Sequence, residues 1–296
     1  MKEEAVSPIV AFMLILMVVV SFISVLNAYY IPPLKQQAEI EHLNQVEKAF
    51  LTIDSDIHRS ISFKDYAETK IRIPLGGGDV FFSPIRSSGL FVISNEKELG
   101  RLEIGTYAFH FTLANITYRP VGNFWINQGY YWGNGTVNIT KGNYKSTWLE
   151  ITDIDDEKKL KTDFFNVLLR ISIEDKIVNS SSNTLENITL IVNNMTINPN
   201  NRYVSSNGFG VLSLKNLKNK PIISNPVNEI KFYINSTLTD EEKDIVNNSF
   251  NNISIFNYKN KKDPQYDPNL NLHIFKFDPP INITIEEKPL VFEIIQ

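Results

Sequence analysis

The strongest hydrophobic pattern lies near the N-terminus. Residues Val6 to Leu34 carry no charge, and sixteen of the eighteen residues in Ile9–Leu26 are apolar. An apolar helix of roughly 20 residues crosses the ~30 Å hydrocarbon core of a bilayer. Tyr29-Tyr30 follows at the depth where aromatic side chains meet lipid headgroups. The pattern predicts a membrane-spanning helix over residues 6–31, which Pro32-Pro33 should bend or interrupt.

A second helical pattern follows the prolines. Apolar residues recur there at spacings of three and four, which is typical of an amphipathic helix. The members of this stripe are Ile40, Leu43, Val46, Phe50, Ile53 and Ile57. The sequence predicts an amphipathic helix over residues 34–59, whose stripe either covers one face of the following domain or forms a short coiled coil. We expect docking, because only about two heptads are present and a convincing coiled coil needs three or four.

From about residue 60 onwards, apolar and polar residues alternate, and this period of two predicts half-buried antiparallel strands. The clearest alternation occurs in Tyr107–Thr112, Ile171–Ile173, Ile188–Ile197, Ile230–Ile234, His273–Phe277 and Ile281–Ile285. Thr239-Asp240-Glu241-Glu242 is a capping-box sequence and predicts one further helix, to about Asn248. The expected fold class is α+β, mostly β: a long N-terminal hydrophobic helix followed by an antiparallel β-sandwich-like ectodomain over residues 60–296.

The number of domains in this ectodomain is open between one and two. Two stretches are candidate linkers: the charged Asp153–Asp163, and Lys215–Asn228, which is rich in Asn, Lys and Pro. If the first is a linker, it divides the ectodomain near residues 153–163.

Composition and charge exclude several classes of function. The chain has 29 basic and 33 acidic residues, a net charge of −4, which gives no field that attracts a nucleic-acid backbone. Without cysteine there is no disulfide, thiolate zinc site or cysteine nucleophile. Gly76-Gly77-Gly78-Asp79 lacks the lysine of a phosphate loop, and no serine has the context of a nucleophile elbow. We expect no catalytic residues, metal, cofactor or nucleic-acid partner; carboxylates paired only in space are the enzymatic alternative that the sequence leaves open.

A short charged leader precedes the hydrophobic helix. Ser7-Pro8 suits a helix start, since serine caps free N–H groups and proline fits the first turn. An ordinary signal peptide fits poorly, because the apolar region exceeds the usual ~7–15 residues and Lys2-Glu3-Glu4 is nearly neutral. Ala5-Val6-Ser7-Pro8-Ile9-Val10 resembles the N-terminal signature, a class III-type signal, of archaeal type IV pilins and pilin-like surface proteins.

The resemblance implies a processing step and a location. A prepilin-type peptidase would cut between Ala5 and Val6, so that residues 1–5 are a leader and the hydrophobic helix stays on the mature protein. The implied protein is a non-enzymatic, pilin-like cell-surface protein with a structural, assembly or adhesive role. It would cross the archaeal cell membrane once, with an extracellular C-terminal domain.

The partners implied by the resemblance are membrane lipid, the peptidase and, through the N-terminal helix, copies of the chain or other pilin-like subunits in a surface filament. The alternative is a solitary single-pass surface glycoprotein or adhesin that binds a cell-surface or carbohydrate ligand and never assembles. Both need the same hydrophobic helix.

Ten asparagines carry the acceptor pattern for N-glycosylation. They are Asn115, Asn134, Asn138, Asn179, Asn187, Asn194, Asn235, Asn247, Asn252 and Asn282. Glycans on some of them suit an extracellular domain, and we expect these asparagines on exposed strand faces or turns. The competing interpretation is that Asn-Ile-Thr is a strand pattern with isoleucine inward and polar residues outward.

Aromatic residues cluster in Phe124-Trp125 and Tyr130-Tyr131-Trp132. On an exposed hairpin, Trp125, Tyr131 and Trp132 are candidate ligand-contact residues that stack on a sugar or on a partner. Buried aromatic residues are instead ordinary core, which is the more frequent outcome.

Overall fold

The fold is taken from a computed structural model of the chain. The structure describes residues 8–62, 67–77, 80, 87–123, 126–141, 144–148, 154–169, 172–179, 184–217, 221–223, 226–251 and 261–295. These ranges contain the helices and strands named below.

The described chain begins with one continuous helical segment. It consists of α1 (Pro8–Val25), a π-helical turn (Leu26–Tyr30) and α2 (Ile31–Ser62). The interruption expected at Pro32-Pro33 is absent, because the helix changes type just before the two prolines. In the π-turn the Ile31 N–H donates to the Leu26 carbonyl, five residues back, which shifts the hydrogen-bond register where the proline nitrogens cannot donate. The boundary near the prolines is therefore a change of helix type within one continuous helical segment.

The amphipathic stripe of α2 docks on the β-rich domain that was expected to be the ectodomain, as predicted. Leu43, Val46, Phe50, Ile53 and Ile57 are buried, and the last four are fully inaccessible. The predicted stripe fails at one position, Ile40, which is 44% exposed. Two polar residues on neighbouring positions, Glu39 and His42, are buried instead.

The rest of the described chain is mostly β-strand. The strands are β1 (Ala67–Pro74), β2 (Ser88–Ile104), β3 (Tyr107–Val121), β4 (Gln128–Gly133), β5 (Thr136–Lys141), β6 (Tyr144–Trp148), β7 (Ser172–Asn179), β8 (Thr184–Ile197), β9 (Tyr203–Ser206), β10 (Phe209–Asn216), β11 (Ile222–Ile223), β12 (Val227–Ile234), β13 (Lys261–Asp267) and β14 (Leu272–Ile295). They are joined in the order β1-β10-β14-β12-β2-β3-β4-β5-β6, with the others beside this path. Each alternating segment predicted as a strand lies in one of these strands or overlaps it. The predicted fold class is confirmed.

Strand β14 connects two groups of strands. Residues 272–281 pair with β12 and β13, and residues 282–295 pair with β8, β10 and β11. The β8 ladder is parallel, a departure from the antiparallel expectation. It places Asn187-Ile188-Thr189 beside Asn282-Ile283-Thr284, residue for residue, with both isoleucines buried. This is the inward isoleucine that the strand interpretation of the pattern predicts.

Residues 154–163 of the candidate linker Asp153–Asp163 belong to helix α3 (Ile154–Leu168). The other candidate, Lys215–Asn228, contains the end of β10, all of β11 and the start of β12. Helix α3 packs against α2 and β5 and buries Phe164 and Phe165 completely. The exposed charges Lys159 and Asp163 lie on the opposite face, while Glu157 and Lys161, one turn apart beside the phenylalanines, form a mostly buried salt bridge. A high density of charge here marks the polar face of an amphipathic helix, not a solvated linker.

The helix predicted from the capping box is confirmed as α4 (Asp240–Asn251). The Thr239 N–H donates to Glu242 Oε2 at 3.0 Å, and the Glu242 N–H donates to Thr239 Oγ1 at 3.3 Å. Both bonds of the capping box are therefore present. Lys97 of β2 pairs with the same glutamate and fastens the start of α4 to the sheet.

Candidate functional site: the N-terminal helix and its attachment to the ectodomain

The first candidate site is the surface of α1. None of its residues is buried, and Phe12, Met17 and Val18 are 67–68% exposed. Within the part of the chain that the structure describes, one helix is long and apolar enough to cross a membrane, and α1 forms its N-terminal part. Such a surface suits contact with lipid or with another apolar helix, because water contact with it is unfavourable.

The polar side chains near the end of this apolar surface are satisfied within the helix itself. Ser24 Oγ donates to the Val20 carbonyl at 2.8 Å, and Asn27 Nδ2 donates to the Ile23 carbonyl at 3.0 Å. Unpaired polar groups in hydrocarbon cost several kcal/mol, on the order of 2–7 kcal/mol for a hydroxyl or amide. The two bonds remove part of this penalty, so these residues do not disqualify the segment from a lipid environment.

The second candidate site is the attachment of α2 to the sheet. Trp132 Nε1 donates to Asp54 Oδ1 at 2.7 Å. The Tyr130 hydroxyl lies 3.1 Å from Glu47 Oε2, to which it can donate, and 3.3 Å from the Leu43 carbonyl. Burial raises the pKa of Asp54, and the Trp132 bond opposes this rise. Two aromatic residues of β4 thus hold two carboxylates that lie seven residues apart on α2.

Buried polar contacts also fix the part of α2 nearest to α1. Glu39 Oε2 accepts a hydrogen bond from the Ile126 N–H at 3.3 Å. His42 Nε2 lies 3.3 Å from the Pro74 carbonyl, and since a carbonyl only accepts, this nitrogen carries the proton. Burial lowers the pKa of His42, while the nearby Glu39 charge opposes this. These contacts fix the direction in which α1 leaves the ectodomain.

Several predicted site residues lie outside the described residues: the processing junction Ala5–Val6, and Trp125 of the aromatic cluster. The structure places the other two candidate aromatics in the interior, with Tyr131 8% and Trp132 0% exposed. Trp132 packs against Phe164 and Phe292, at ring-centroid distances of 5.6 and 6.5 Å. For Tyr131 and Trp132 the structure therefore supports the core interpretation and not ligand contact.

The acceptor asparagines differ in exposure. Asn282 is exposed, whereas Asn138 is 8% exposed and counts as buried. Those of intermediate exposure are Asn115, Asn134, Asn187, Asn194, Asn235 and Asn247. Asn179 lies in β7, and Asn252 lies outside the described residues. The expected exposed position is thus found at Asn282 and not at Asn138.

Hydrogen bonds further separate these asparagines. Asn235 Nδ2, the atom that would carry a glycan, donates to the Glu98 carbonyl at 2.9 Å. Asn138 Nδ2 lies 3.3 Å from Thr136 Oγ1 and donates to it. Asn247 Oδ1 accepts from His273 Nε2 at 2.6 Å. In the folded chain these three amides are engaged in hydrogen bonds within the fold. Among the acceptor asparagines whose side chains are described, Asn282 is the most accessible.

The polar attachment residues were not anticipated from the sequence. Asp54 and Glu47 lie on α2 outside its apolar stripe, where a charged residue normally indicates a solvent-facing position. Their seven-residue spacing, which returns to the same helix face, is a signal that could have identified them. Their partners on β4 are about 80 positions away in sequence, so no local pattern could reveal the pairing.

Comparison with known proteins adds no assignment to this geometry. No protein-family model matches the chain, and neither the curated proteins nor the solved structures contain a match. Three features therefore bear on function: the exposed apolar surface of α1, its polar attachment through α2, and the sequence around the junction at Ala5.

Proposed function

We propose that the protein is a membrane-anchored, pilin-like cell-surface protein with a structural or assembly role and no enzymatic activity. In this proposal α1 crosses the membrane, the ectodomain faces outward, and removal of residues 1–5 prepares the helix for assembly. The observation that carries the proposal is that α1 has no buried residue and is apolar except at Ser21 and Ser24, yet is continuous with a helix that is firmly docked.

The charge arrangement gives the processing step a physical role. The leader contains Lys2, Glu3 and Glu4, whose transfer into an apolar environment is strongly unfavourable. Cleavage after Ala5 removes these charges and leaves an apolar helix that can pack beside copies of itself. The docked α2 then carries one ectodomain outward with each helix.

N-terminal sequencing of the protein purified from its native membrane tests the proposal. A start at Val6 supports a processed, assembly-competent protein. A start at Met1 supports the solitary anchor, and a start near Tyr29 indicates secretion and contradicts both. The Ala5→Arg variant, which should block cleavage by its size and charge, serves as the control for processing and should retain Met1.

The solitary surface glycoprotein is the second candidate, and the exposure of Asn282 favours it. A glycan at this position meets no steric barrier from the described residues around it, since the side chain points to solvent. Intact-mass and glycopeptide analysis of the native protein should find hexose-type mass at Asn282 and none at Asn138. An unmodified Asn282 would leave the acceptor sequences as strand pattern alone.

A further inference from the structure

The end of the ectodomain nearest to α1 forms a continuous surface, which we call the base. Its position follows from α2, whose first buried residues, Glu39 and His42, contact Ile126 and Pro74. The base comprises residues 72–77, 87–90, 119–123, 126–128 and 202–209. Neighbouring segments are joined by backbone contacts, since Gly76 N donates to Gly208 O, Gly89 pairs with Ser206, and Ser88 pairs with Val121.

The base carries positive charge without carboxylates. Its ranges contain no Asp or Glu, although 33 of the 296 residues of the chain are acidic. They contain Arg72, Arg119 and Arg202, and all three are exposed. Glu39 is close to the base but buried, and the exposed Glu41 on α2 leaves the arginines in excess.

The arginines of the base differ from those elsewhere in the ectodomain. None of the three forms a salt bridge with a carboxylate among the residues that the structure describes. Away from the base, Arg59 pairs with Asp56 at 2.5 Å and Arg101 pairs with Glu103 at 2.7 Å. The protein thus neutralises its other described arginines internally and leaves those nearest to the anchor free for an external anion.

Apolar side chains accompany these arginines. Phe209 is 50% and Val121 is 46% exposed. The Arg72 guanidinium lies over the Phe209 ring, 3.5 Å from its centroid. A mixture of arginine, aromatic and aliphatic groups is typical of surfaces at the boundary between lipid and water, where the apolar part and the charge each meet a suitable environment.

The base is also close to the expected membrane surface. His42, which contacts the base, lies seven residues beyond Lys35, the first charged residue after the apolar run. Seven residues of helix correspond to about 10 Å along the axis, which is comparable to the Debye length of about 8–10 Å at physiological salt. The end of the base at Pro74 is therefore within about one Debye length of the surface potential of anionic lipid. Arg72 and Arg119 lie two strand residues farther, within reach of their long side chains, whereas Arg202, beside Ile93, lies higher on the domain.

We propose that the base docks on anionic lipid headgroups, with the free guanidinium groups contacting phosphate and with Phe209 and Val121 in the headgroup layer. The inference rests on the proposed membrane anchoring of α1. Docking gives the ectodomain a second attachment besides the helix, and it sets the tilt of the ectodomain against the membrane by charge.

Site-specific fluorescence in the full chain tests the inference. The chain has no cysteine, so a single introduced cysteine is the sole labelling site. Asn207→Cys reports on the base, Tyr30→Cys on the anchor, and Asp240→Cys on α4, which contacts β2 at Lys97, nine residues or about 30 Å along the strand from Ser88. The labelled proteins are placed in nanodiscs of phosphatidylcholine alone or mixed equally with phosphatidylglycerol, and quenching by a headgroup spin label is measured.

The base label should be quenched about twofold more in the anionic discs than in the neutral ones, and about 1 M salt should abolish the difference because it shortens the Debye length to about 3 Å. The Asp240→Cys label should remain unquenched in both. Combined Arg72→Ala and Arg119→Ala should remove the lipid dependence, and Arg119→Lys should retain it. Arg101→Ala is the matched control and should have no effect.

Three outcomes would overturn the inference. Equal quenching of the base label in both lipids, or no response to the alanine pair, would exclude charge-dependent docking while a quenched Tyr30→Cys label still supports the anchor. An unquenched Tyr30→Cys label would remove the membrane anchor and the inference with it. Quenching that depends on the number of protein copies per disc, and not on lipid charge, would make a second copy the occupant of the base.

Discussion

The hydrogen bond between Trp132 and Asp54 allows a quantitative test of how α2 is attached. In Trp132→Phe, Asp54 loses its indole donor, and a hydrogen bond to a charged group contributes about 1.5–3 kcal/mol. The smaller ring also leaves a cavity of roughly 40 Å³ beside Phe164 and Phe292, which at ~24 cal/mol per Å³ costs about 1 kcal/mol. We expect a total loss of about 2.5–4 kcal/mol in the free energy of unfolding.

A double-mutant cycle with Asp54→Asn separates the two contributions. The amide oxygen of asparagine still accepts from the indole but carries no charge, so the single variant should cost less than about 1 kcal/mol. In that background the Trp132→Phe loss should fall by about 1 kcal/mol, since only a neutral hydrogen bond remains to be lost. Tyr107→Phe, at a partly exposed ring, is the control and should stay within about 0.5 kcal/mol.

The effect of pH gives a further check on Asp54. Burial raises its folded-state pKa above the unfolded value of 3.8, so the folded chain binds more protons between these two values. The contribution of Asp54 to the free energy of unfolding is fully present below the unfolded pKa of 3.8 and decreases as pH rises through the folded-state pKa. Loss of the indole bond raises that pKa further, so Trp132→Phe should be less destabilising near pH 4 than near pH 7.

The assay is guanidinium unfolding of the full chain in detergent, followed by circular dichroism. A loss below about 0.5 kcal/mol, or no coupling with Asp54, would contradict the role assigned to this bond. An identical loss of unfolding free energy at both pH values would show that the Trp132 hydrogen bond does not affect the pKa of Asp54.

Four further measurements test other parts of the structure. Burial lowers the pKa of His273 to about 4 from 6.5, so the folded chain binds fewer protons than the unfolded chain between these pH values. The contribution of His273 to the free energy of unfolding should be fully present above about pH 6.5 and fall by up to about 3 kcal/mol as pH approaches 4; unfolding titrations of His273→Gln should lack this decrease. Thr239→Ala should lower the free energy of unfolding by about 0.5–2 kcal/mol through loss of the cap, while Thr52→Ala on an exposed helix face should have little effect. Val18→Arg should reduce membrane insertion by about 2.5–3.5 kcal/mol, measured by membrane fractionation against Val18→Ala; retention of both in the membrane would contradict a spanning α1. Asn282→Gln should remove the glycan mass from the native protein, and an unchanged mass would place any glycan elsewhere.

The elements that depend on local periodicity were predictable from the sequence. The apolar run of α1, the stripe from Leu43 to Ile57, and the capping box at Thr239 all depend on spacings within a few residues. The behaviour of the helix at Pro32-Pro33 was not predictable from the sequence. A π-turn just before the two prolines accommodates them, and no simple sequence pattern indicates such a turn.

The remaining errors concern contacts between distant segments. Asp153–Asp163 looks like a linker by charge, and its helical face becomes evident only through the burial of Phe164 and Phe165. The parallel pairing of β8 with β14 joins segments about 95 residues apart, which alternation alone cannot align. Likewise, the free arginines of the base are ordinary charges in the sequence, and only the fold shows that they share one end of the ectodomain.

The direction of α2 has a mechanical consequence for a protein held by its N-terminal helix. The buried face of α2 extends from Glu39 to Ile61, about 33 Å of helix, and α2 is continuous with α1 through the π-turn. A pulling force that α1 transmits along the axis of α2 loads the Glu39, Asp54 and aliphatic contacts in shear, all at once. A perpendicular pull would instead peel them apart one turn at a time. The β-rich domain is thus attached so that a pull along α2 spreads tension over the whole interface.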